Sequence, residues 1–294
     1  MTSVSTSVSD KIRSAFDFSV DKFPLSGPDG MSTPLYGLFR SDTSSLVGSK
    51  SVTSRYHPHT TDDVIALSEA AENAFDGDID VRCHFRAGHY VDVKPNLAQR
   101  KSVYGTTDNI WPRVLIRAGY DGESFRASLG YFRDVCNNMA MMSMVNGTSV
   151  CIRHTSGLRG KMDELIATFN TLKNSWSNLS DVVDQMQSRE VQLVQFLDAM
   201  YPQPEGNASS RATTVHKNRT EAIVRRVATE RIRTGRPSMG NDFKISAWEA
   251  YNAVQGYVQH DAQARKGFTG EFDRILRASN DATVRKAERL ALAA

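Results

Sequence analysis

Between Arg211 and Arg236 the chain carries eight basic side chains, Arg211, Lys217, Arg219, Arg225, Arg226, Arg231, Arg233 and Arg236, against two acids, Glu221 and Glu230. That is a net +6 within a chain whose formal charge is +3, so the remaining residues sum to −3. Positive charge concentrated in this way suits an anionic partner. Single-stranded DNA is the partner such a segment points to, because a protein that holds it needs cations along the phosphates and aromatic faces for the bases. Arg219, Arg225, Arg226, Arg233, Arg236 and Lys217 supply the first, with Arg117 and Arg126 as additions and Tyr131 or Phe132 as stacking faces. On a helical wheel of Glu221 to Arg233, Ile223, Val224, Val227, Ala228 and Ile232 share one half, and Arg219, Arg225, Arg226 and Arg233 share the other. Arg231 falls on the apolar half as an exception. Exchanging Arg219, Arg225, Arg226 and Arg233 for Gln is therefore expected to leave packing nearly untouched. The competing reading is a solvated face, or a set of partners for the acidic remainder of the chain.

Other clusters offer less. Tyr56-His57-Pro58-His59 with Asp62 and Asp63 brings two imidazoles and two carboxylates that a metal could use. The same residues read as a helix start, with Pro58 before it, Thr60 or Thr61 as cap and the acids complementing the helix dipole. On that reading His57 and His59 do no chemistry, and no metal site is expected. Cys136 and His154 would suit a thiol–imidazole pair, but nothing in the sequence places them together. Met139, Met141, Met142 and Met144 read as core or interface filling. GxxxxGK-S/T, GxGxxG after a strand, HExxH and GxSxG do not occur. No enzyme activity and no cofactor are expected.

These residues must be positioned by an α+β fold: a curved antiparallel sheet with packed helices, followed by a long helix and a helical C-terminal part. Residues 1–54, rich in Ser, Thr, Gly and Pro, read as an irregular arm with one edge strand. Residues 55–201 read as the α+β core. There a helix begins at Thr60–Asp63 and ends near Gly77, and Val81, Cys83 and Phe85 then alternate with polar residues before an Ala87-Gly88 turn. A second hairpin runs from Val114 through Tyr120-Asp121-Gly122-Glu123 to Phe125, Ala127, Leu129 and Tyr131. Met162, Leu165, Phe169, Leu172, Trp176, Leu179, Val183, Met186, Leu193, Leu197 and Met200 follow helical steps broken only at Glu190. No Pro or Gly interrupts Lys161 to Tyr201, so one helix of roughly 40 residues, about 60 Å, is expected unless Ser188 caps a fresh one. The stripe is either core-facing or a seam for a second copy, and the second option predicts a homo-oligomer. Residues 202–212 read as a linker and 213–294 as a basic helical region, in which Ser246-Ala247-Trp248-Glu249 is a capping-box sequence. A last helix is expected over Phe272–Leu292.

The three cysteines lack CxxC spacing and the N-terminus lacks an apolar leader run, which favours a reducing compartment, the cytoplasm. No segment approaches the roughly 18 apolar residues of a membrane span, and no membrane partner is expected.

Tyr120-Asp121-Gly122-Glu123-Ser124, then Arg133-Asp134-Val135-Cys136-Asn137-Asn138, then Trp248-Glu249-Ala250-Tyr251-Asn252-Ala253-Val254 with His260, together resemble the phage/plasmid-like family called domain of unknown function 932. The similarity runs from about Val47 to His260. It implies a phage, prophage or plasmid gene and supplies no activity. The order of elements is similar to the β-β-β-α core of the Rad52-like single-strand annealing proteins, a likeness of fold alone. The expectation is a self-associating, non-enzymatic phage protein that binds single-stranded DNA for recombination, annealing or protection. The rival is an oligomeric protein-interaction factor that engages a host or phage protein, for instance as an antagonist of a host defence complex.

Overall fold

A computed structural model describes residues 7–75, 79–94, 100–120, 125–133, 138–140, 149–152, 163–164, 166–167, 169–206, 208–262, 270, 274–275, 278 and 281–293. The fold is α+β with a helical C-terminal part, in two compact units. Unit 1 comprises Met1–Gln99, Pro112–Leu129 and Gly147–Trp176, and unit 2 comprises Arg100–Trp111, Gly130–Asn146 and Ser177–Ala294. Each unit thus gathers segments from several of the divisions read from sequence.

Unit 1 opens with helix α1 (Val8–Ala15), whose Ser7 cap accepts from the Asp10 N–H at 3.1 Å. Strands β1 (Val20–Ser26), β2 (Ser32–Arg40) and β3 (Val52–Thr53) then form a three-stranded antiparallel sheet. The expected irregular arm of residues 1–54 is corrected by these elements. Its few apolar residues are spaced to work: Val8, Ile12 and Phe16 bury one helix face, and Val20, Leu38, Val47, Val52 and Tyr56 close a small core with Tyr120. Helix α2 (Thr61–Ala74) starts on the expected cap, a reciprocal capping box between Thr60 and Asp63.

The main sheet has β4 (Asp80–Phe85), β5 (Gly88–Lys94), β6 (Lys101–Ser102), β7 (Asn109–Gly119), β8 (Phe125–Arg133), β9 (Asn138–Ala140) and β10 (Ser149–Ile152). Its order is β10-β8-β7-β5-β4, with β6 added to β7 and β9 to β8. Two short pieces, β6 and β9, pair at the strand ends and bring the sheet to seven strands. The β4–β5 turn holds Ala87 at φ 49°. Gly88 is required beside it, since a Cβ there would lie 2.6 Å from the Ala118 carbonyl oxygen. The Asp121-Gly122 turn lies outside the described residues. Alternation puts Val81, Val91, Val93, Val114, Ile116 and Ala118 on one face, where they pack with Ile12, Val64, Leu67, Ala71 and Phe75.

Helix α3 (Phe169–Ser188) passes from unit 1 into unit 2 and is followed by β11 (Glu190–Gln192), α4 (Leu193–Met200) and α5 (Ser210–Arg233). Strand β12 (Lys244–Ser246), α6 (Ala247–Gly256), a π-type turn at Tyr257–Ala262 and α7 (Ala282–Ala293) complete the unit. The single 40-residue helix is thus broken where the stripe failed: Glu190–Gln192 pairs with β12, and the Gln192 side chain caps α4. Leu172, Leu179, Val183, Met186, Leu193, Leu197 and Met200 are all buried within the chain. These stripe residues are therefore core-facing, while Trp176 is half-buried and Met162 and Leu165 lie outside the described residues. Helix α6 starts on the expected Ser246/Glu249 capping box. The last helix begins at Ala282, later than Phe272, although Arg274, Ile275 and Ala278 are also helical.

Candidate nucleic-acid interface

Helix α5 forms because Ser209 caps it, accepting from the Ala212 N–H at 3.2 Å, and because Ile223 and Val227 bury one side. Its arginines then divide. Arg231, the exception on the wheel, points inward and grips Glu249 with two hydrogen bonds, Nε to Oε1 at 2.7 Å and Nη2 to Oε2 at 3.1 Å. Arg236 lies 2.6 Å from the same carboxylate and 3.7 Å above the Tyr104 ring. Burial works to raise the Glu249 pKa, but the Arg231 hydrogen bond, the Ser246 N–H and both guanidinium charges outweigh it and hold the carboxyl below its ordinary range. Burial, with the Glu249 charge, pushes the Tyr104 phenol up to about 12. Conversely Ile232, expected on the buried half, is 78% exposed. Arg231 is thus turned inward and Ile232 outward, the reverse of what the wheel gave.

A second buried pairing lies nearby in the same unit. Arg133, 2% exposed, bonds Asp108 through Nε at 2.8 Å and Glu230 through Nη1 at 2.5 Å. A third polar cluster joins Asn138 to α6. The Asn138 amide donates to the Asn252 carbonyl at 3.1 Å, its side-chain oxygen lies 3.0 Å from His260 Nε2, and Tyr131 donates to Asn252 Oδ1 at 3.0 Å. Arg226 completes the group through Asp261, Nε to Oδ2 at 3.1 Å. Gly256 makes room for it, since a Cβ there would lie 3.0 Å from both Arg226 Nη1 and Asn138 Oδ1.

The selected site residues therefore separate into groups. Arg226 and Arg236 hold ion pairs inside unit 2, so the idea that exchanging Arg226 leaves packing untouched is corrected. Arg219 lies 4.6 Å above Tyr201 and Lys217 is 3.9 Å from Glu221. Arg225 and Arg233 are exposed. Arg117 and Arg126 belong to unit 1, the first half-buried over Tyr90 at 5.6 Å and the second exposed on β8. Tyr131 is fully buried, and Phe132 stacks on Trp111 at 6.1 Å, so Tyr131 is not a stacking face.

The outward half read from sequence included Arg225 and Arg233 but not Arg211, which completes an exposed stripe. At 100° per residue Arg211, Arg225 and Arg233 fall within an arc of about 80°, with the exposed Asn218 and Thr229 between them. Beside Arg225 opens a pocket of about 600 Å³ walled by Val194, Val224 and Phe243 and rimmed by His216 and Glu221. Phe243 is 37% exposed and sits at φ 51°, unusual for a bulky side chain. Two backbone hydrogen bonds hold it there, from its own N–H to Gly240 and from the Leu193 N–H to its carbonyl, both 3.0 Å. Only the turn-forming Asn241-Asp242 just before it hinted at this conformation.

In unit 1 the His57–Asp63 cluster comes apart. His57 is exposed, Asp63 is taken up by the cap, and Asp62 pairs with Arg13 at 2.8 Å. His59 is buried against His89, Nε2 to Nδ1 at 2.8 Å, and stacks on Tyr120 at 4.1 Å. Burial, with the Arg40 charge, lowers the His89 imidazole to about 3. Cys83 is half-buried and burial pushes its thiol up to about 11, while Cys136 and His154 lie outside the described residues. Among the described residues no group of three or more His, Cys, Asp or Glu side chains could hold a metal ion, and no helix is long and apolar enough to cross a membrane.

Fold and site define an α+β protein whose basic helix rests on a charge-paired interior and turns a thin cationic stripe outward. A family model described as Domain of unknown function (DUF932) matches residues 49–290, and the chain belongs to that family. No curated protein and no solved structure matches it. Two of the motif pieces that carried the resemblance meet in space: Asn138 of the first bonds Asn252 and His260 of the second.

Proposed function

We propose that the protein binds single-stranded nucleic acid without catalysis, in the setting of phage or plasmid DNA recombination or annealing, through the outer stripe of α5. One observation carries the reading: Arg225, exposed and without an ionic partner among the described residues, shares a pocket with Phe243, an exposed aromatic held in a constrained conformation. A cation for phosphate beside an aromatic face for a base is the pairing that sequence-tolerant strand binding uses. Arg211 and Arg233 extend the track along about 33 Å of helix. The second reading, a protein-interaction surface, is favoured by Val215 and Ile232, exposed at 47% and 78% on the same helix.

Fluorescence anisotropy with an unstructured oligonucleotide across a salt series tests this. The triple variant Arg211→Gln, Arg225→Gln, Arg233→Gln should weaken binding and flatten log K against log salt by roughly 0.7 for each lost contact. Phe243→Ala should weaken binding with little change in slope. A parent that binds no oligonucleotide at low salt overturns the reading and leaves the protein-interaction surface in its place.

A further inference from the structure

The pocket beside Arg225 lies between α4, which contributes Val194 and Asp198, and α5, which contributes Val224 and Arg225, and Phe243 joins them from the segment before β12. It is open to a ligand, since Val194 is 44% and Phe243 37% exposed. Asp198 is the residue in it that folding does not explain. It stands in the last turn of α4, where the carbonyl end of a helix disfavours negative charge. It is half-buried, and its carboxylate has no hydrogen bond or ion pair among the described residues. The cation at that helix end, Lys286, donates to the Met200 carbonyl at 3.0 Å instead. A carboxylate that is partly desolvated, set against a helix dipole and left unpaired lowers the stability of the fold. A residue that breaks local rules without a structural gain marks a functional site.

The other polar groups of the pocket restrict what meets that carboxylate. Glu221 is exposed at the rim, 3.9 Å from Lys217. His216 Nε2 donates to the Tyr201 carbonyl at 2.9 Å, and the Thr220 hydroxyl is taken up by the His216 and Lys217 carbonyls at 3.1 and 3.0 Å. The Gln203 amide can donate or accept and so does not discriminate. That leaves Arg225 to meet an anion and Asp198 to meet a donor, in one pocket with an aromatic face. A single strand offers both, a phosphate and a base edge, and the bases differ in their donors. Cytosine and adenine carry an exocyclic amino group, and guanine carries one beside a ring N–H, two donors that a single carboxylate can accept. Thymine and uracil hold their one ring N–H between two carbonyl oxygens, which a carboxylate repels.

We propose that this pocket reads the base as well as holding the strand: it takes an unpaired base with an exocyclic amino group against Phe243, the amino group donating to Asp198 while Arg225 meets the adjoining phosphate. Guanine binds best and thymine or uracil worst. The volume of about 600 Å³ lies within the range of small-ligand pockets. The inference rests on the strand-binding reading of α5 and adds a base preference, which stacking and phosphate contacts alone do not supply.

Fluorescence anisotropy of the full chain at fixed salt, with a short oligothymidine strand and the same strand carrying one central dG, dC or dA, tests it. The dG strand should bind about fivefold or more tighter than the all-thymidine strand, with dC and dA between. Asp198→Asn, whose amide serves donors and acceptors alike, should bring the four strands to nearly equal affinity. Loss of a negative charge also strengthens phosphate binding, but for every strand alike, so the ratio is the readout. The variant should melt at or above the parent, because the charge at the helix end is relieved. Salt-dependent binding of equal strength to all four strands by the parent overturns the base preference and leaves the strand-binding reading standing, whereas no binding to any strand overturns both. A folded Asp198→Asn protein that keeps the parent's preference also overturns the inference, and so does one that melts well below the parent, which would make the carboxylate a part of the fold.

Discussion

Glu249 of unit 2 and His89 of unit 1 are both almost wholly buried, at 5% and 1% exposure, yet their surroundings differ in kind. Glu249 keeps its charge because Arg231, Arg236 and the Ser246 N–H surround it. His89 is held neutral among rings, with one nitrogen satisfied by His59 and the other left over. The difference separates two uses of buried polarity. Where every charge has a partner, as at Arg133 between Asp108 and Glu230, the cluster fixes how helices and strands dock. Where a neutral atom is buried without a partner among the described residues, as at His89 Nε2, it is the neutral form of the ring that the packing tolerates. The same comparison explains why counting arginines in α5 overestimates a binding surface: part of that charge is consumed inside the unit.

The largest effect is expected from breaking the first kind of site. Glu249→Ala removes the carboxylate that holds two guanidiniums and half of the α6 capping box, and leaves Arg231 buried without its partner. A loss of about 3–5 kcal/mol is expected, read from the urea midpoint at unchanged slope. Because the folded Glu249 pKa is depressed, its contribution is full above the unfolded value of 4.5 and disappears as pH falls through the folded value. A loss under about 1 kcal/mol would mean that the arginines find water or other partners, and the contrast between the units would weaken.

His89 gives an intermediate effect with a different pH signature. Its folded pKa of about 3 lies below the ordinary 6.5, so the unfolded chain binds a proton that the folded chain refuses. Stability should therefore fall as pH drops below 6.5, by about 1 kcal/mol over the first unit, and level off near the folded value. His59 and Tyr120, in ring contact with His89, and Arg40, whose charge acts on it, are its titratable or charged neighbours. His89→Phe should flatten the curve between pH 6.5 and roughly 5.5, a window that lies above the ordinary carboxylate range. An unchanged slope in that variant would assign the acid sensitivity to other histidines.

Much of this was legible in the sequence, and the gaps have physical causes. Both capping boxes, the β4–β5 hairpin and the buried stripe of α3 follow from local spacing, which short-range interactions enforce. The interruption at Glu190–Gln192 did not, because β11 exists only through pairing with β12, 52 to 56 residues away. Arg231 was flagged as an anomaly on the wheel but not understood, since its partner Glu249 lies one helix later. His89 carried no signal: it sits in an alternating strand, and only the fold brings it to His59, 30 residues earlier.

The smallest effect on stability is expected at Ile232, and it divides the two readings of α5. At 78% exposure the side chain buries little, so Ile232→Lys should shift stability by no more than about 0.5 kcal/mol. The position is exposed and falls about 20° from Arg225 on the helical wheel, at the edge of the stripe, so the new ammonium would widen the cationic track. If a nucleic-acid strand occupies that track, affinity should rise and the salt dependence steepen by roughly 0.7. If a protein occupies it, Ile232 is the kind of apolar anchor that a partner desolvates, and a charge there would weaken the complex while leaving oligonucleotide binding absent. Stronger strand binding with a steeper slope supports the first occupant. Unchanged strand binding in a variant that melts with the parent would show that the stripe does not touch the phosphates, and would break the link between exposed arginines and function on which the comparison of the two units rests.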